Sequence, residues 1–251
     1  MKALYFKEVR SFLGSIIGYI FIVIFLITSG IFHWVIDQDT NFLMGEEVDM
    51  IPFFNLSPII LFILIPAITM RMIAEERKNG TIELLFTRPI TDLQIILAKY
   101  LAGVTLLLIS LLPTLIYYFS LSQLGVESFD ADGLPKSVID EGATFTSYIG
   151  LFLLGCVFLA IGIFSSSVTS NQIVAFILAM FLCWLFYDGF ELIGSFSLIG
   201  DADFVFKYIG LTSHYRSIMK GLIDTSDLLY FFGMIAIFLT ASLAIVKSLK
   251  R

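Results

Sequence analysis

The chain has 251 residues, of which 58% are hydrophobic and 14% charged, with a formal net charge of −6. Soluble domains hold about 45–50% apolar and about 25% charged residues, so no aqueous core encloses this much apolar surface, and a mean hydropathy of +0.95 points to lipid. No basic tract of the kind that grips nucleic acid occurs, and Cys156 and Cys183 both fall inside apolar runs, where they read as buried free thiols without a disulfide framework or a metal spacing.

Residues 1–12 set Leu4, Tyr5, Val9 and Phe12 against Lys2, Lys7, Glu8 and Arg10. That pattern predicts a short amphipathic helix lying in a membrane interface. The apolar run over 13–34 exceeds the roughly 7–15 residues of a signal-peptide core, and no A-x-A site follows it, so it is expected to stay as a first span. Five more runs, over 52–70, 93–121, 145–164, 173–190 and 228–246, approach the about 20 residues that a spanning helix needs. Their continuous apolarity excludes barrel strands, which alternate over roughly 10 residues. The expected fold is therefore an all-α polytopic membrane protein with six transmembrane helices, forming a single transmembrane domain over 1–251.

Gly14 and Gly18 stand in a G-x-x-x-G spacing that lets a second helix approach, with packing inside the chain as the expected use. Pro58 and Pro66 fall in the second run and Pro113 in the third, where proline kinks a helix and frees carbonyls. Trp34, Tyr117, Tyr118 and Trp184 lie toward run ends, as interfacial aromatics do.

The segment 71–92 carries the strongest functional signal. Nothing in the sequence stops the second helix at the membrane surface, so it is expected to run on to Lys78. Asn79-Gly80 is a helix stop, because glycine supplies the left-handed conformation. Thr81 is expected to cap a short helix bearing Ile82, Leu84, Leu85 and Phe86, which are too exposed to be left uncovered. Arg88-Pro89 ends that helix, and Thr91 with Gln94 three residues on forms a capping box for the third span. A loop that only set topology needs no such apolar cluster, so a docking surface is the better reading.

Lys and Arg set the orientation. Lys2, Lys7, Arg10, Arg71, Arg77, Lys78, Arg88, Lys247, Lys250 and Arg251 fall on one side. The other side holds only Lys136, Lys207, Arg216 and Lys220 among many carboxylates. The first side is predicted to be cytoplasmic, with both termini there. On the outer side Phe204, Tyr208, Leu211, Tyr215, Ile218 and Leu222 recur at helical spacing, which predicts one or two interfacial helices broken near residues 210–213.

Enzymatic readings find little support. There is no G-x-x-x-x-G-K-[ST], so the chain does not cradle ATP phosphates by a P-loop. His33 and His214 stand alone and are expected at an interface or the surface. Tyr187-Asp188 and Gly200-Asp201 parallel the paired aspartates of intramembrane proteases, yet Leu198 takes the second glycine position and the spacing is short. Asp188 and Glu191 are expected to be solvated at the outer edge.

Glu75 to Leu85, with Arg88-Pro89-Ile90-Thr91 and Lys99-Tyr100-Leu101 beyond them, resemble the E-[RK]-x-x-G-T-x-E-x-L-x-x-x-P-[IL]-[ST] signature of type 2 ABC exporter permeases. Gly18-Tyr19, Pro52-Phe53-Phe54, Pro66-Ala67-Ile68-Thr69, Ile161-Gly162-Ile163-Phe164 and Asn171-Gln172-Ile173 are similar to the gliding-motility-associated permease subunits of Bacteroidetes. The resemblance implies a bacterial inner-membrane subunit without catalytic residues, whose amphipathic N-terminal helix and cytoplasmic coupling helix contact a separate ABC ATPase. It nominates Glu75, Glu76, Arg77, Gly80, Thr81, Glu83 and Pro89, with Lys7 and Arg10, as coupling residues. It also implies no cofactor on this chain, ATP and Mg on the partner, and a second permease copy or second membrane subunit. The alternative function is a membrane anchor through which an ATPase drives a motility or secretion machine. A secondary carrier is disfavoured, because the six runs offer almost no charge near the bilayer midplane.

Overall fold

The computed structural model describes residues 1–36, 41–42, 49–87, 89–124, 128–129, 135–136, 139–195 and 208–250. Helix α1 (Lys2–Leu13) turns at Gly14 into α2 (Ile16–Trp34). Next come α3 (Ile51–Thr69), α4 (Ala74–Lys78), α5 (Thr81–Phe86) and α6 (Asp92–Leu111). Past a single 3₁₀ turn at Pro113 follow α7 (Leu115–Leu124), α8 (Glu141–Val168) and α9 (Gln172–Trp184). A π-helical turn (Leu185–Gly189) leads into α10 (Phe190–Ser195), and α11 (Leu211–Met219) and α12 (Thr225–Ser248) complete the order. A two-residue β pairing, Ser128–Phe129 with Pro135–Lys136, lies between α7 and α8.

Among the described residues, six segments are long and apolar enough to cross a membrane: Ile16–Trp34, Ile51–Lys78, Asp92–Gln123, Glu141–Val168, Gln172–Ser195 and Thr225–Ser248. They lie over the expected runs: the first is three residues shorter, the second runs eight residues further at its C-terminal end, and the other four extend by one to five residues at each end. Helix α8 is the hub. Its spanning window is 83% buried, against 22% in Gln172–Ser195 and 28% in Thr225–Ser248. Lipid offers no hydrophobic drive between helices, so close approach at small residues supplies the packing. At the α3–α8 crossing a Cβ on Gly162 would stand 2.1 Å from Thr69 Oγ1. The G-x-x-x-G near the N-terminus serves packing inside the chain, as expected. A Cβ on Gly18 would strike the Phe12 carbonyl at 2.1 Å, so this glycine permits the tight α1–α2 corner rather than a helix crossing.

Several contacts gather on one face. Lys250 Nζ sits 3.1 Å from Asp92 Oδ1, and α1 packs along α6 with Tyr5 Oη 2.8 Å from Thr105 Oγ1. Both chain ends, α4–α5 and the α8–α9 turn share this terminal face.

On the opposite face His33 and His214 are both buried, correcting the expectation of surface histidines. His33 stacks on Phe42. His214 lies with Nδ1 2.6 Å from Asp227 Oδ1, and its Nε2–H donates to the Tyr208 carbonyl at 2.9 Å. Helix α11 packs Leu211, Tyr215 and Ile218 into the bundle and leaves Ser213 and Arg216 exposed. Tyr215 donates to the Phe54 carbonyl at 2.7 Å, burial pushes its phenol well above the usual range, and Thr212 donates to the Tyr187 carbonyl, freed by the π-turn. Gly210 does break the helical pattern, as its N-cap. Asp188 is exposed and Glu191 pairs with Arg216, in keeping with the outer-edge reading. Asp201, Phe204 and Lys207 lie outside the described residues. Cys156 and Cys183 are free and buried, and Trp34 and Tyr117 pack together rather than merely facing an interface.

Candidate functional site

The elbow begins where α3 stops. Continuation to Lys78 as one helix was the expectation, but a turn over 70–73 separates α3 from α4. The reason lies far along the chain. Ser166 of α8 accepts the Ile73 and Ala74 N–H groups, each at 3.0 Å, and donates to the Met70 carbonyl at 3.1 Å. One hydroxyl thus fills both acceptor positions and its donor, replacing the helical bonds the turn gives up. Arg77 donates to the neighbouring Ser167 carbonyl. Ser166→Ala leaves two buried N–H groups without acceptors, at a cost of about 1–3 kcal/mol each. It is expected to lower the thermal unfolding midpoint of the purified chain, an effect read in detergent, while Ser165→Ala, whose hydroxyl only bonds back to Ile161 O, changes it far less.

Gly80 reverses the chain. Its φ of +68° is the left-handed conformation, and it N-caps α5 with no side-chain cap. Thr81 is therefore the first helical residue rather than a cap. Its hydroxyl donates instead to the Glu76 carbonyl at 3.3 Å, tying the start of α5 to α4. Ile82 is buried and Leu85 half-buried, so this side of α5 is already partly covered. The side chains of Leu84 and Phe86, and Arg88 as a whole, lie outside the described residues. The Thr91–Gln94 capping box forms as expected.

The feature that spacing did not reveal is a buried charge cluster beneath the elbow. Lys99, on α6, is 1% exposed. Its ammonium lies 2.8 Å from Glu76 Oε1 on α4 and 3.4 Å from Glu8 Oε1 on α1. An isolated ammonium in such a place is prohibitively costly, and two carboxylates from two other elements answer it. Lys99 thereby ties the amphipathic helix, the elbow and the third span to one atom. Glu8 Oε1 is also 3.3 Å from Lys7 Nζ, a side chain 62% exposed. A cavity of about 810 Å³ opens between α1 and the elbow, with Glu8, Glu75, Glu76 and Lys99 among its walls.

The nominated residues thus separate into groups. Glu76 enters the buried cluster, Arg77 and Thr81 brace the elbow, and Gly80 supplies its reversal. Glu75 and Lys7 line the cavity. Glu83, Pro89 and Arg10 are exposed on the terminal face. Lys99, Glu8 and Ser166 were missed. A lone lysine in an apolar run is a signal in itself, since an ionisable group within a span is functional by default. The serine had no such mark.

An α-helical, multi-pass membrane protein with a charged elbow between its second and third spans has the build of a transporter's membrane subunit. The profile of the ABC-2 family of transporter proteins matches residues 3–248, and the chain belongs to that family. Comparison with curated proteins gives no match.

Proposed function

We propose that the chain is the permease subunit that couples ATP hydrolysis by a separate ABC ATPase to transport, and that the ATPase docks on the elbow and α1. The observation that carries this reading is the α4–Gly80–α5 reversal, presented beside α1 and joined through Lys99 to span three. A push on α4 is transmitted to α6 without passing through a loop. The positive charges gathered on the terminal face support its assignment to the cytoplasmic side of a bacterial inner membrane. Glu75, Glu83, Pro89 and Arg10 would meet the ATPase directly, while ATP and Mg stay on that partner. Two permease halves, identical or different, would work with two ATPases. Export, and a role in gliding motility, extend this reading through the signature and the further similar segments described above.

A membrane anchor that passes ATPase work to a motility or secretion machine uses the same elbow, so substrate movement in proteoliposomes containing both subunits separates the two. The first test is purification of the tagged chain in mild detergent. A P-loop ATPase is expected in near-equal amount, with less of it retained by Glu83→Arg. A chain that purifies with no ATPase, and whose partners are unchanged by that substitution, would overturn the proposal.

A further inference from the structure

Glu76 spends one carboxylate oxygen on Lys99, while its other oxygen, Oε2, is shut off from solvent and accepts no hydrogen bond. Glu8 and Glu76 against one buried ammonium leave one net negative charge with all three groups ionised. The Lys7 ammonium near Glu8 is largely solvated and offsets little of it. Arg71, on the cavity wall, is exposed. The buried cluster on the wall of the roughly 810 Å³ cavity is therefore one negative charge in excess, with one carboxylate oxygen short of a donor. The last torsion of a glutamate is soft, so a small rotation presents Oε2 to the cavity. Water could fill the hydrogen bond but not balance the charge.

We infer that this cavity receives a basic side chain, arginine or lysine, from the ATPase, which donates to Glu76 Oε2. The inference rests on the proposed docking and names the chemistry of that contact: one cation inserted beside α1, in addition to whatever covers the elbow tip. Because Oε1 is held by Lys99, the contact is single-point rather than a bidentate fork. Its arrival would balance the charge of the cluster while Oε1 keeps the tie between α4 and α6.

A photo-crosslinking residue placed at Ser11, which lines the cavity and is exposed, and separately at Glu83 on the elbow, tests this in the complex that purifies together. Both are expected to capture the ATPase, with the Ser11 adduct mapping beside an arginine or lysine. Changing that mapped residue to Glu should weaken association at least tenfold, and Glu76→Lys combined with it should restore association. Capture from Glu83 but not from Ser11, or a mapped site without a basic residue, overturns the inference and leaves the docking intact. Capture from neither position overturns both. The crosslinking arm leaves all three charges in place, so it stands even where Glu76→Lys fails to fold.

Discussion

Lys99→Met is expected to destabilise the chain by about 3–5 kcal/mol, the cost of breaking a buried ion pair from one side. The substitution keeps most of the side chain's volume, so the loss is electrostatic. It strands Glu8 and Glu76 facing each other with no cation between them. The two free cysteines make convenient reporters, since both are buried and become reactive toward a thiol dye only on unfolding. Removing all three charges together, as Glu8→Gln, Glu76→Gln and Lys99→Met, should recover most of the loss, because a neutral set carries no uncompensated charge. An unfolding midpoint for Lys99→Met equal to the parent's would show that the cluster carries no strain-bearing role.

Gly80→Pro should have the opposite profile, with little loss of stability and a large loss of coupling. Proline holds φ near −65°, whereas Gly80 sits at +68°. Proline also lacks the N–H that bonds the Arg77 carbonyl at 3.3 Å. The reversal cannot form. Nothing lies within 4 Å of a Cβ at this position, so the damage stays in the elbow and does not spread through packing. Gly80→Ala meets only the backbone cost, roughly 1–2 kcal/mol, and Gly80→Asn less than that. Hydrolysis by the co-reconstituted ATPase should become insensitive to the permease in the proline variant, be partly coupled in the alanine variant, and stay close to the parent's with asparagine. Full coupling in the proline variant would mean that the reversal is dispensable.

Local chemistry was legible in the sequence wherever its cause was local. The Asn79-Gly80 stop, the Thr91–Gln94 box and the spanning runs all depend on residues within a few positions of one another. What escaped depends on partners far apart. Ser166 breaks the second span across 92 residues of sequence, and Lys99 reaches Glu8 across the N-terminal bend. The central place of α8 was also hidden. In lipid both the buried and the outward faces of a helix are apolar, so periodicity does not say which helix is in the middle. Only its small residues at close crossings, Gly162 against Thr69 above all, bear that mark. The histidines misled for the same reason: His214 is satisfied by Asp227, which lies at the start of the next span.

Docking of an ATPase on the elbow requires the elbow to stand on the side of the membrane where nucleotide is hydrolysed. A single new thiol at Glu83→Cys, exposed on α5 while Cys156 and Cys183 stay buried, reports that side directly. In intact cells a membrane-impermeant maleimide should leave it unlabelled, and the same reagent should label it in full once the membrane is opened. Labelling from outside intact cells would contradict the account.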